Sequence, residues 1–99
     1  MKDITEYVEI PLKDLVKLLR NKGFNTIGSC GHLPEPYINI DRFDEENLES
    51  LYNLLVENGY KNFQLRLIWM NTDNDNSKFL DITFFPKKRL ANLRDIKNI

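Results

Sequence analysis

The run Ser29-Cys30-Gly31-His32 holds the only Cys and the only His of the chain. A thiol and an imidazole two positions apart admit three kinds of chemistry. They can supply two metal ligands, with Glu35 or Asp41 as a third. They can supply a nucleophilic thiolate and its base, provided the thiol pKa is lowered and the imidazole sits within hydrogen-bonding range. They can also touch a ligand without reacting. In that case Thr26 and Ser29 add hydroxyls, and Thr26, Ser29, Cys30 and His32 are the candidate binding residues. Cys30 and His32 are thus candidates for a metal or a catalytic role as well, although two ligands are only half a metal site. An architectural reading stands beside these: Cys is among the most often buried residue types, and a His ring can cap a turn. Gly28 and Gly31 flank the Cys and permit unusual backbone angles or a bulge. Pro34 and Pro36 stiffen the far side of the turn. No cofactor is specified.

The elements that position this turn follow from periodicity. Leu12, Leu15, Val16 and Leu19 recur at i, i+3, i+4 and i+7, one face of a helix, with Pro11 at its first position and Gly23 just past its end. Leu48, Leu51, Tyr52 and Leu55 repeat the spacing in a second helix, for which Asp44 is an N-cap and Gly59 the terminator. Both helices run into one pattern, Leu-Leu, three residues, Gly, aromatic: Leu18-Leu19 to Gly23-Phe24, and Leu54-Leu55 to Gly59-Tyr60. Two strand-like stretches follow each time, 24–29 and 37–41, then 63–70 and 79–85. Apolar and polar residues alternate in the last two, as expected of half-buried antiparallel strands. The unit α-β-β is therefore used twice within one domain of residues 1–99: first in 11–41, then in 44–85, with 86–99 as a basic C-terminal helix.

The simplest architecture is an α+β two-layer sandwich: a mostly antiparallel sheet with two helices on one face. The sheet has four strands, or five if residues 4–10 add one, which gives the order a ferredoxin-like flavour. Gln64, Arg66, Asp81, Thr83, Asn39 and Asp41 fall on the face away from the helices, with an Arg66–Asp81 cross-strand ion pair. Tyr37, Ile68, Met70, Phe79 and Phe85 share that face. It is too apolar to stand open, and a homodimer or cover by the C-terminal helix would shield it. The 71–77 segment is a solvated hairpin turn, since Lys78 and Phe84 occupy positions where a calcium loop requires Gly and Glu.

Composition narrows the classes. The chain has 99 residues, 41% of them hydrophobic and 29% charged, which suits one soluble domain. No run approaches the roughly 20 apolar residues of a membrane span. The start lacks a signal-peptide layout, so a cytoplasmic location is expected. A single Cys rules out an internal disulfide framework. The net charge is −1 but unevenly spread: the body is acidic, and the segment after Phe85 carries Lys87, Lys88, Arg89, Arg94 and Lys97 against Asp95 alone. An acidic body argues against general nucleic-acid binding, leaving the tail residues Lys87, Lys88, Arg89 and Arg94 as the one place for phosphate contact.

The stretch Gly23-Phe24-Asn25-Thr26-Ile27-Gly28-Ser29-Cys30-Gly31-His32, with Pro36-Tyr37-Ile38 after it, resembles a motif of small bacterial and phage proteins without an assigned activity. The helix, Gly-Phe, strand and Ser-to-His turn are also similar, more loosely, to HicA-type mRNA-interferase toxins. That similarity implies His32 as the acid or base of an RNA-cleaving enzyme. From the residues themselves, the expectation is a non-enzymatic, self-associating binding domain with a ligand or partner site at the Ser29–His32 turn. RNA cleavage through His32 and metal binding through Cys30 and His32 are the alternatives.

Overall fold

Glycine and an aromatic residue end each helix in the same way. A computed structural model of the protein describes residues 10–30 and 35–85. Helix α1 spans Ile10–Asn21 and helix α2 spans Leu48–Glu57. Gly23 and Gly59 lie past their ends with φ of 90° and 87°, a region that costs a glycine nothing. Each following aromatic then donates its backbone N–H five residues back, Phe24 to the Leu19 carbonyl at 3.0 Å and Tyr60 to the Leu55 carbonyl at 2.9 Å. This is a Schellman closure, and it turns each ring back toward the core. The repeated Gly-aromatic pair of the sequence is thus a helix stop with a built-in hydrophobic anchor.

Four strands follow in pairs: β1, Thr26–Cys30; β2, Tyr37–Asp41; β3, Phe63–Trp69; β4, Lys78–Phe84. They form one sheet in the order β1-β2-β4-β3 with every neighbouring pair antiparallel. The second strands of the two units therefore meet in the middle, and the units are related by a pseudo-two-fold axis through that seam. Both helices pack on one face. Leu12, Leu15, Val16 and Leu19 of α1 and Leu51 and Leu55 of α2 are buried with Ile38, Ile40, Leu80, Ile82 and Phe84 of the two central strands. The α+β two-layer sandwich expected from the sequence is the architecture observed.

Several local expectations change. Ile10 is the first residue of α1, so it is not part of an N-terminal strand; the rest of that predicted strand lies outside the described residues, as does the predicted C-terminal helix. Asp44 accepts a 3.4 Å hydrogen bond from the Glu46 N–H, but it caps a 3-10 turn, Glu45–Asn47, that precedes α2. The second helix also buries a narrower face than its periodicity suggested. Leu51 and Leu55 are fully buried, whereas Tyr52 is 52% exposed. A ten-residue helix entered through a 3-10 turn packs on the sheet with Leu51 and Leu55, flanked by the partly buried Leu54, and Leu48 and Tyr52 rotate to its other flank.

Ile82 sits at the centre of the core, on the central strand and with no exposed surface. Ile82→Ala removes buried methylenes and leaves a cavity in a small domain. It should lower the unfolding free energy by about 2–5 kcal/mol, read from urea denaturation at unchanged m-value.

Candidate functional site

The sheet face away from the helices carries a polar centre. In an antiparallel ladder, residues exchange both backbone bonds at every second position. Phe84 N–H donates to the Pro36 carbonyl and Arg42 N–H to the Lys78 carbonyl, which sets the even-numbered residues of β2 and β4 as the bonded pairs. The open-face pairs Tyr37–Thr83, Asn39–Asp81 and Asp41–Phe79 are then the non-bonded kind, whose Cα atoms approach most closely. On the other side of β4, Gln64 lies opposite Thr83, Arg66 opposite Asp81, and Ile68 opposite Phe79.

Asp81 stands where these rows cross. It is 7% exposed although it is on the open side of the sheet, and Thr83 is 8% exposed. The Thr83 hydroxyl donates to Asp81 Oδ2. The Arg66 guanidinium lies 3.6 Å from the same oxygen and is itself largely exposed. Across the seam, the buried Asn39 Oδ1 has no hydrogen-bond partner. A buried amide oxygen without a donor is costly, so it marks a place where a donor belongs. These groups line a concavity of about 630 Å³ with Glu35, Tyr37, Ile68 and Phe79. Aromatic and aliphatic walls around a few convergent polar groups are the usual make-up of a ligand site. A second concavity, about 400 Å³, lies at the opposite end of β2 between Phe24 and Phe43. It is floored by the stacking of those two rings, whose centroids are 5.9 Å apart.

The residues singled out from the sequence divide. Thr26 is 7% exposed and pairs with Ile40, on the helix side and at the other end of β1 from Cys30. It does not join the turn. Its carbonyl instead accepts a 2.9 Å bond from Arg20, tying the end of α1 to β1. Ser29 pairs with Ile38, and Cys30 with Tyr37, in register. Gly31 and His32 lie outside the described residues. The chain re-enters at Glu35, which lines the large concavity beside Tyr37. The Cys30 end of the β1–β2 hairpin therefore borders that concavity.

Asp41 is at the far end of β2, four residues or about 13 Å from Tyr37, so it is the wrong end of the strand to serve as a third metal ligand with Cys30. Glu35 is at the right end. Among the described residues, no cluster of three or more His, Cys, Asp or Glu side chains could hold a metal ion. Ile27 is the extra residue of a β-bulge between Thr26 and Gly28; Gly28 itself has no positive φ and a Cβ there would meet nothing within 4 Å, so neither the unusual backbone angle nor the close approach expected of it is found. No described helix is long and apolar enough to cross a membrane. The chain matches no family model, no curated protein and no solved structure.

The polar centre was visible in the sequence only as a wet face with an Arg66–Asp81 pair. Its burial was missed, because alternation assigns a side of the sheet and not a depth. Asp81 and Arg66 should contribute unequally to stability. Asp81→Ala removes the buried acceptor of the Thr83 hydroxyl together with the ion-pair partner of Arg66 and should cost about 1–3 kcal/mol. Arg66→Ala, at an exposed and salt-screened partner, should cost under about 1 kcal/mol. Urea unfolding of both variants at low and high salt checks the inequality.

Proposed function

We propose that the protein is a non-enzymatic binding domain whose site is the concave open face of the sheet, next to the Cys30 end of β1. The unpartnered Asn39 Oδ1 beside the Asp81 carboxylate carries this reading. Together with the Thr83 hydroxyl and the Glu35 carboxylate, they make an acceptor-rich centre. Tyr37 and Phe79 supply ring faces at either side. Acceptors between aromatic rings suit a ligand that presents N–H donors on a positive group, an ammonium or a guanidinium. Arg66 occupies the carboxylate from the exposed side at 3.6 Å, longer than a charge-assisted hydrogen bond, and its exposed guanidinium can give way to such a ligand.

Titration of the protein with methylguanidinium and with butylammonium, followed by backbone amide shifts, tests the reading. Saturable shifts are expected at Asn39, Asp81 and Thr83. Asp81→Asn should abolish them, and Arg66→Ala should tighten binding by removing the resident cation. If those amides do not move, or if Arg66→Ala weakens the binding of both cations, the open face is not a cation site.

A further inference from the structure

The two edges of the sheet are unlike. β1 is short and interrupted by its bulge, a device that spoils an edge for pairing. β3 has seven residues in unbroken register with β4 from Phe63 to Trp69, contains no Pro, and carries one charge, Arg66. Its other side faces no strand among the described residues. The hydrogen-bond pattern shows which of its backbone groups are free. Met70 N–H donates to the Ser77 carbonyl and Phe85 N–H to the Asn62 carbonyl, at the two ends of the same ladder. The even-numbered residues therefore bond to β4, and Phe63, Leu65, Leu67 and Trp69 direct their N–H and C=O groups off the edge.

Helix α2 adds a side-chain surface to this edge. Leu48, Tyr52 and Val56 form an i, i+4, i+8 stripe and are 36%, 52% and 49% exposed. The Tyr52 ring lies 5.8 Å from that of Phe63, so the stripe adjoins the β3 edge. We infer that a second copy of this chain docks here, β3 against β3 and α2 beside α2, extending the sheet across a two-fold axis. This inference does not depend on the ligand reading.

Self-pairing is the occupant the geometry favours. An antiparallel strand pair is self-complementary under a two-fold, as an isologous dimer requires. With Leu65 on the axis, the outward groups of Phe63 and Leu65 meet those of Leu67 and Leu65 of the second copy. Arg66 then faces the second copy's Gln64 and never another Arg66, which avoids a like-charge pair. Joining the sheets this way puts both helix layers on one side. The Tyr52 ring beside Phe63 then places the α2 stripe of each copy next to the seam. In this register residues 63–67 of the two copies pair, and the exposed Leu48, Tyr52 and Val56 stripe beside them adds apolar surface that a strand pair alone does not supply.

Light scattering and concentration-dependent amide exchange on the whole chain test the inference together. The expected mass at high concentration is twice 11.8 kDa. The amides of Leu65 and Leu67 should gain protection as the dimer forms, while those of Gln64 and Arg66 are protected at every concentration. Val56→Glu, at an exposed position, should raise the dimer Kd by about tenfold or more without changing the far-ultraviolet spectrum. Leu48→Glu, at the other end of the exposed α2 stripe, should do the same. A monomer at millimolar concentration overturns the inference. So does a dimer in which Leu65 and Leu67 stay unprotected, since another face then makes it. Protection of those amides in a monomer overturns it too, because a segment of the same chain would then hold the edge.

Discussion

The structure depends on the antiparallel pairing of β2 with β4. Neither α-β-β unit can bury its apolar face alone, because a two-stranded hairpin under one short helix encloses too little. Joining the second strands at the centre brings Ile38 and Ile40 against Leu80 and Ile82, and these four, all within 1% of complete burial, form the floor on which both helices rest. The Schellman closures serve the same core. Tyr60 comes back to lie 6.3 Å from Phe84, the last residue of β4, so the helix stop and the sheet seam share one contact. Loss of the central pair would separate the units and expose both helix faces.

That pairing also determines what happens on the other face. The central strands have neighbours on both sides, so any polar residue they direct away from the helices is crowded by two cross-strand partners. Asp81 is flanked by Asn39 and Arg66, and Thr83 by Tyr37 and Gln64. Burial of a carboxylate there follows from position and not from a hydrophobic cover. Satisfaction is uneven: Asp81 has a hydroxyl and a guanidinium, while Asn39 Oδ1 has neither. Two residues related by the pseudo-two-fold thus have different chemistry, and the asymmetry is what makes the centre of the sheet a candidate for recognition.

Much of this was legible in the residues. The 3.6-residue period placed α1 and its buried face, the alternation of 63–70 and 79–85 placed the second hairpin, and the Gly-aromatic repeat marked both helix ends. What the sequence could not show was depth and company. Leu48 and Tyr52 fit the helical stripe as well as Leu51 and Leu55 do, but the angle at which a short helix meets the sheet decides which pair is covered. Thr26 and Ser29 are close in sequence, yet a bulge and the length of β1 set them at different ends of a strand. Strand order is a non-local property, so nothing in the sequence of β2 announces that Asp81 will stand beside Asn39. The only Cys and the only His form a visible motif within 30–32, whereas the polar centre is assembled from three strands and has no motif.

The two copies of the α-β-β unit differ through small local features. One extra residue bulges β1 and spoils the first edge, while β3 keeps an unbroken ladder and an edge whose free backbone groups fall at regular intervals. Cys30 ends the first strand of the first hairpin, whereas the second hairpin carries the exposed segment around Thr72 and Asp75, closed on itself by the 2.9 Å bond from the Asp75 N–H to the Thr72 hydroxyl. A sheet with equivalent edges would extend in both directions and form open assemblies. With one edge bulged and one intact, strand addition can proceed on a single side, and an isologous pair closes the assembly. Arg66 and Ile68 belong both to this intact edge strand and to the wall of the concave face, so the β3 edge and the polar centre of the sheet share a strand.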